Sequence, residues 1–195
     1  MARMSDLESV FCRTRPWRWF ARRSVLPRVL TAAPIGPHVL EVGCGSGAMA
    51  AEVLRSRPEV TRLVATDVDP AMVRLATRTL RRQGERAEAR LVDASGLPFD
   101  DASFDTVASW LMLHHTIAWE AVLAETFRVI RPGGRLVGYD LPDSARTRFI
   151  HMVTRSSVRM IAPEDLAREL HRIGFSVVEV EPLGLLGAYR FAAVR

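Results

Sequence analysis

The chain contains no lysine: all 27 of its basic Lys-or-Arg positions are arginine, and with 22 acidic residues the formal net charge is +5. A bias this strong is of the kind a GC-rich genome imposes. The arginines are scattered over several segments, so they read as solvated helix faces and not as the dense tract of a nucleic-acid-binding arm. Two cysteines, Cys12 and Cys44, are too few for a disulfide framework or a metal cluster. His38, His151 and His171 are equally dispersed, and no metal is expected. There is no run of 18 or more apolar residues, which excludes a spanning helix. The N-terminus carries Asp6 and Glu8 and lacks the apolar core of a secretory signal. Repeats, low-complexity tracts and interdomain linkers are also missing, and 195 residues suit one domain with one substantial core. A single cytoplasmic domain is the expectation.

What is present alternates between two periodicities, as a βαβ protein requires. Residues 1–37 read as a helical N-terminal segment broken by Pro16, Pro27, Pro34 and Pro37. Strands are expected at 39–42, 63–66, 89–92, 104–109 and 135–139, with helices at 48–57, from Pro70 to near Gly84, and at 118–130. Asp69 is placed to cap the helix that begins at Pro70. Pro132 ends the third of these helices, and Gly133 and Gly134 form its exit turn. An arginine-rich connection follows at 141–162, then a helix at 163–172 and two final strands at 175–181 and 189–194. The fold class is α/β: a doubly wound, Rossmann-like, seven-stranded sheet, mostly parallel with an antiparallel C-terminal strand, and helices on both faces. Residues 1–195 form one domain, of which 38–195 are the cofactor-binding core and 1–37 a helical lid or substrate segment.

The densest signal is Val39-Leu40-Glu41-Val42-Gly43-Cys44-Gly45-Ser46-Gly47, an apolar strand running into alternating glycines. Glycine there permits backbone angles closed to other residues and removes the Cβ atoms that would hold a bulky ligand away. Asp67 closes the next apolar run at the spacing of a carboxylate that accepts hydrogen bonds from a ribose diol. The pattern therefore reads as a nucleoside-containing cofactor bound on an α/β sheet. Taken alone, Gly43, Gly45 and Ala48 also satisfy the relaxed fingerprint of nicotinamide enzymes.

Four segments in order decide between these: residues 39–47; Ala65-Thr66-Asp67-Val68-Asp69-Pro70; Val92-Asp93-Ala94-Ser95-Gly96-Leu97-Pro98-Phe99; and Ile130-Arg131-Pro132-Gly133-Gly134-Arg135-Leu136. Together with Ser103-Phe104-Asp105-Thr106-Val107 and Leu113-His114-His115 they resemble the class I S-adenosylmethionine-dependent methyltransferases, especially the compact bacterial ones of the ubiquinone/menaquinone type, over residues 38–194. The resemblance implies that Glu41 orients the methionyl ammonium of S-adenosyl-L-methionine, and that the backbone of Gly43, Gly45 and Ser46 packs on the cofactor. Asp67 would take the ribose hydroxyls, and Val68 would lie against the adenine. Asp93 would accept from the adenine amine, the Ala94 backbone would reach a ring nitrogen, and the Ser109 carbonyl would face the ammonium. The product would be S-adenosyl-L-homocysteine. His114 or His115, after the fourth strand, is the candidate general base, with helix capping or packing as the competing role.

The resemblance also narrows the methyl acceptor by exclusion. Ser109-Trp110-Leu111-Met112 stands where base amino-methylases carry an Asn/Asp-Pro-Pro-aromatic loop, and neither cysteine is placed for cytosine-C5 chemistry. Metal-dependent catechol-type transfer would need a carboxylate after the fourth strand as well as near Asp140. A small organic acceptor methylated on O, N or C is expected. RNA, protein or lipid methylation, or a non-catalytic cofactor-binding partner protein, are the alternatives. Residues 11–23 mix aromatics with arginines, and the connection containing Arg146, Arg148, His151 and Arg155 is placed to close over the site. These stretches suit a lid that packs its tryptophans on the sheet, an anionic or lipid-like substrate, or peripheral membrane contact. An open acceptor pocket, or one completed by a second subunit of a homodimer, is also expected.

Overall fold

The computed structural model describes residues 14–32, 34–144, 147–148, 152, 158–184 and 187–195. Short apolar runs bounded by glycine, proline or aspartate become the strands of one sheet. They are β1 (His38–Val42), β2 (Arg62–Asp67), β3 (Ala87–Leu91), β4 (Phe104–Trp110), β5 (Ile130–Asp140), β6 (Ser176–Pro182) and β7 (Tyr189–Val194). The seven strands run in the order β3-β2-β1-β4-β5-β7-β6. β1 to β5 pair in parallel, and β7 lies antiparallel to both β5 and β6. The chain moves outward from β1 to β3 and then returns to place β4 on the other side of β1. This reversal opens the carboxyl edge between β1 and β4, where open α/β sheets bind ligands.

The helices divide between the two faces according to strand alternation. Leu40, Val42, Val107 and Leu136 point to one face, where they pack with α5 (Trp119–Val129) and α6 (Pro163–Ile173) through Val122, Leu123, Leu166 and Leu170. Val39, Ala108, Trp110, Val137 and Tyr139 point to the other. That face is covered by α1 (Arg15–Phe20), α2 (Leu26–Ala32), α3 (Ala48–Ser56) and α4 (Pro70–Leu80). Each fully buried leucine in these clusters contributes about 1.5–3 kcal/mol relative to exposure. Asp69 caps α4 as its sequence position requires, its Oδ1 accepting from the Ala71 N–H at 2.7 Å, with Pro70 in the first turn. Among the described residues no helix is long and apolar enough to cross a membrane.

Three local expectations are revised. Pro132 does not mark the helix end: α5 stops at Val129, Ile130 is already extended, and β5 runs through the proline from Ile130. The missing N–H is tolerated because the pairing with β4 is irregular between Phe104 and Thr106. The C-terminal residue supplies the bonds instead, Gly133 donating to Arg195 O at 2.8 Å and Arg195 N donating to Gly134 O at 3.0 Å. Secondly, α4 ends at Leu80 and gives way to a tighter turn over 81–86 that contains Gly84 at φ 60°. Thirdly, the N-terminal segment does not seat Trp19 on the sheet. That ring is 60% exposed under the Arg23 guanidinium, and Val25, Leu26, Val29 and Leu30 make the anchor. A π-turn at Ala21–Val25 joins α1 to α2 ahead of Pro27, where the α-helical N–H is lost. Residues 11–13, Arg146, His151 and Arg155 lie outside the described residues, and Arg148 forms a bidentate ion pair with Asp143.

Candidate functional site

The carboxyl ends of β1 and β2 meet in a hydrogen-bonded cradle. Cys44 N donates to Thr66 O at 2.8 Å, the Thr66 hydroxyl donates to Glu41 O at 2.9 Å, and Gly45 N donates to Asp67 Oδ2 at 2.8 Å. The glycines in this loop are not equivalent. Gly43, at φ 70°, lies so close to Met112 that a Cβ would stand 2.1 Å from Met112 Cγ. Gly45, at φ 51°, would direct a Cβ into open space with nothing within 4 Å. Gly43 thus serves packing, while at Gly45 the backbone is bare and a Cβ would meet no other atom. Ser46 is half-buried beside it.

Glu41 is the electrostatic centre of the cradle. It is 1% exposed, and its Oε2 has no hydrogen-bond partner, like the Nε1 of Trp110 on the same face of the sheet. A buried carboxylate in this state is costly. Burial pushes the carboxyl from its ordinary 4.5 up to about 8, the Asp67 charge adds to the rise, and the nearby Trp110 N–H opposes it without reaching hydrogen-bond geometry. The same burial, with Glu41 and Asp67 alongside, raises the Cys44 thiol well above its usual range, so it is a packing residue and not a nucleophile. Burial also raises Asp67, against the backbone donors Asp69 N at 2.9 Å and Gly45 N. A carboxylate has about four lone-pair sites, so Asp67 retains acceptor capacity for a diol.

The adenine-side candidates are brought beside this cradle by one backbone bond, Val92 N to Asp67 O at 3.0 Å. Asp93 is exposed, and its Oδ1 accepts from Ser95 N at 2.9 Å and Ser95 Oγ at 2.6 Å, which hold its carboxyl below the usual range. Ala94 is buried beneath it and Val68 is half-buried across the gap. The segment that follows is held by a residue the sequence reading passed over. Arg128 of α5 donates to Leu97 O and Phe99 O at 2.8 Å each and to Asp101 at 2.7 Å, while Glu125 accepts from Leu97 N at 2.8 Å.

The third group lies at the ends of β4 and β5. Ser109 is buried, paired with Val42 and Gly138, and its Oγ has no hydrogen-bond partner. Leu111, at φ 57°, is strained for a branched side chain and sends Met112 back over Gly43. His114 and His115 occupy a short turn at Leu113–His115, with ring centroids 4.1 Å apart. His114 is 1% exposed and His115 is half-buried. Asp140, also missed as a partner from sequence, ends β5 with its carboxylate on His114 Nδ1. The only signal for it was its place as an acidic residue at a strand's carboxyl end.

A family model described as "Methyltransferase domain" matches residues 39–134, which spans the cradle, both aspartate loops and the histidine turn. The chain is 32% identical over 132 residues to a demethylmenaquinone methyltransferase of Thermus thermophilus, covering 68% of this chain and 58% of the relative. It is 32% identical over 157 residues to a ubiquinone/menaquinone biosynthesis C-methyltransferase of Desulfotalea psychrophila, covering 77% and 61%. The chain thus spans about three fifths of the length of these curated relatives. Among solved structures, a SAM-dependent methyltransferase of Aquifex aeolicus superposes with a TM-score of 0.77 at 18% identity, with 96% of each chain covered.

Proposed function

From the premise that this chain belongs to the methyltransferase-domain family, we propose that it binds S-adenosylmethionine at the β1–β4 edge and transfers its methyl group to a small organic acceptor. The observation that carries the reading is the buried, unpartnered Oε2 of Glu41 beside a glycine loop whose backbone is bare at Gly45. Burial keeps the proton on Glu41 in the ligand-free fold, and an amino-acid ammonium bound beside it would favour the ionised carboxylate and pair with it. When bound, the cofactor provides an electrophilic methyl on a neutral thioether leaving group.

The chain's own residues then have limited tasks. Glu41 holds the ammonium, with the Ser109 carbonyl as a second acceptor. Asp67 fixes the ribose diol. Asp93 and the Ala94 backbone read the adenine edge, and Val68 covers its face. Positioning of this kind can supply up to about 7–11 kcal/mol of a barrier in ideal geometry. A base is required only where the acceptor must lose a proton, and the turn holding His114 and His115 is the candidate for it.

The relatives' names favour a quinol-type ring as acceptor, methylated on carbon, over RNA, protein or lipid. Calorimetric titration with S-adenosylmethionine and S-adenosylhomocysteine tests the site: micromolar binding that Asp67→Ala weakens at least tenfold is expected, and its absence refutes the reading. Labelled-methyl transfer to a metabolite extract, with total RNA and a lipid fraction in parallel, tests the acceptor class. Label in the metabolite fraction is the expected result. A scan of oligomeric state with and without product tests the homodimer.

A further inference from the structure

The methyl-transfer reading leaves open how an acceptor's proton is handled, and the ends of β4 and β5 address this. Asp140 is 0% exposed and its carboxylate meets three donors. Oδ1 takes His114 Nδ1 and the Leu141 N–H at 2.7 Å, and Oδ2 takes the His114 backbone N–H at 3.3 Å. His114 is 1% exposed, so its ring is sealed from an acceptor in this state. His115 is half-buried and lies against that ring at 4.1 Å and 41°. Met112, which precedes the same turn, lies against Gly43 of the cradle.

Resting on that reading, we propose that Asp140 is a positioning residue of the acceptor site: it fixes His114 as the Nδ1–H tautomer and, through that ring, sets and supports His115 as the group that takes the acceptor's proton. A carboxylate on Nδ1 selects the tautomer and orientation of an imidazole. The Asp140 carboxylate meets one ring of the stacked histidine pair, and His115 is the other. When an acceptor O–H or N–H bond breaks, its electron pair stays on the acceptor and its proton goes to His115, which becomes an imidazolium. The charge of Asp140 favours that state over the starting one, so the support acts where it raises turnover. Among the described residues, Tyr189 and Arg159 also face the couple of Asp140 and His114. The Tyr189 hydroxyl, kept protonated by burial and by Asp140, reaches Ile161 O at 3.4 Å. Arg159 donates its backbone N–H to His114 O at 2.8 Å, while its guanidinium is engaged by Glu120 and Ile117 O and lies over Trp119. The acceptor class narrows to nucleophiles that shed a proton, such as phenols, enols and protonated amines.

Nitrogen-15 NMR of the histidines in the full chain, saturated with S-adenosylhomocysteine, tests this without an acceptor. Wild type is expected to show His114 protonated on Nδ1. Asp140→Asn, similar in shape but uncharged, lowers the His115 titration midpoint by about one pH unit, and Asp140→Glu restores it. With a reduced naphthoquinone as probe acceptor, D140N is expected to lose about tenfold in kcat with little change in KM, and its acid limb moves to lower pH. An Nε2–H tautomer at His114 in wild type overturns the proposal. So does an unmoved His115 midpoint in a D140N variant that melts and binds product like wild type. Failure of wild type to bind product would instead remove the methyl-transfer reading itself, so the two failures are distinguishable.

Discussion

At the residue scale Glu41 makes a pH prediction with a definite sign. Its carboxyl sits at about 8 in the folded, ligand-free protein against an ordinary 4.5. Below pH 4.5 both folded and unfolded chains hold the proton and nothing is lost. Between 4.5 and 8 the unfolded chain releases a proton that the fold retains, so stability falls as pH rises, by about 4–5 kcal/mol in full above pH 8. Glu41→Gln removes that loss. Denaturant melts should therefore show the variant gaining on wild type steadily from pH 5 to pH 8. Cofactor affinity should move oppositely, rising with pH in wild type as the carboxylate forms, and lying about 10- to 100-fold lower and flat in E41Q. An affinity that falls with pH in wild type would refute the pairing. The glycines separate in the same way. Gly43→Ala drives a Cβ into Met112 at positive φ and should cost about 2–4 kcal/mol in a melt. Gly45→Ala meets only open space, so it should cost about 1 kcal/mol, yet weaken product binding at least tenfold by calorimetry.

Elements were legible where a local rule governs them. The apolar run Val39 to Val42, the Asp69-Pro70 cap and the stop at Gly174 each involve neighbours in sequence, and the structure follows them. Legibility failed where a remote partner decides. Pro132 reads as a helix terminator, but Arg195 supplies the bonds that let it lie inside an irregular strand. Trp19 reads as a buried aromatic and is exposed, because the smaller Val25 to Leu30 side chains already fill the face of the sheet. Arg128 was invisible for the same reason: its targets are carbonyls about thirty residues upstream, and carbonyls carry no sequence signature. This latch between α5 and residues 97–101 holds the wall next to Asp93, so Arg128→Met should loosen the adenine end alone. Titrations should show adenosine and S-adenosylhomocysteine losing affinity by the same factor, about 3- to 10-fold, with about 1–3 kcal/mol of stability lost. Equal affinity for adenosine in variant and wild type would refute the assignment. Lysine should not rescue it, since one ammonium cannot reproduce the planar fork.

For the whole molecule, the sheet order turns separate motifs into one site. Glu41, Asp67 and Asp93 belong to three strands or their exits, and the reversal between β3 and β4 places all three on the carboxyl edge with the turn that holds His114 and His115. The arginine excess has little part in it. Arg55, Arg128, Arg168 and Arg172 each pair with an acidic residue three positions earlier, which disperses the charge over helix faces. An edge assembled from β1, β2, β3 and β4 couples ligand binding to the cooperative unit as a whole, and this yields a global prediction. A ligand at one hundred times its dissociation constant stabilises a fold that alone binds it by about 2.7 kcal/mol. In a domain of this length each kcal/mol moves Tm by about 2–4 °C. S-adenosylhomocysteine at that excess should therefore raise the melting temperature by about 5–11 °C in a single transition, and Asp67→Ala should abolish the rise at the same concentration. Two transitions, with only one of them moved by the ligand, would mean that the cradle and the C-terminal strand pair unfold separately, and the single-domain organisation would fall with that result.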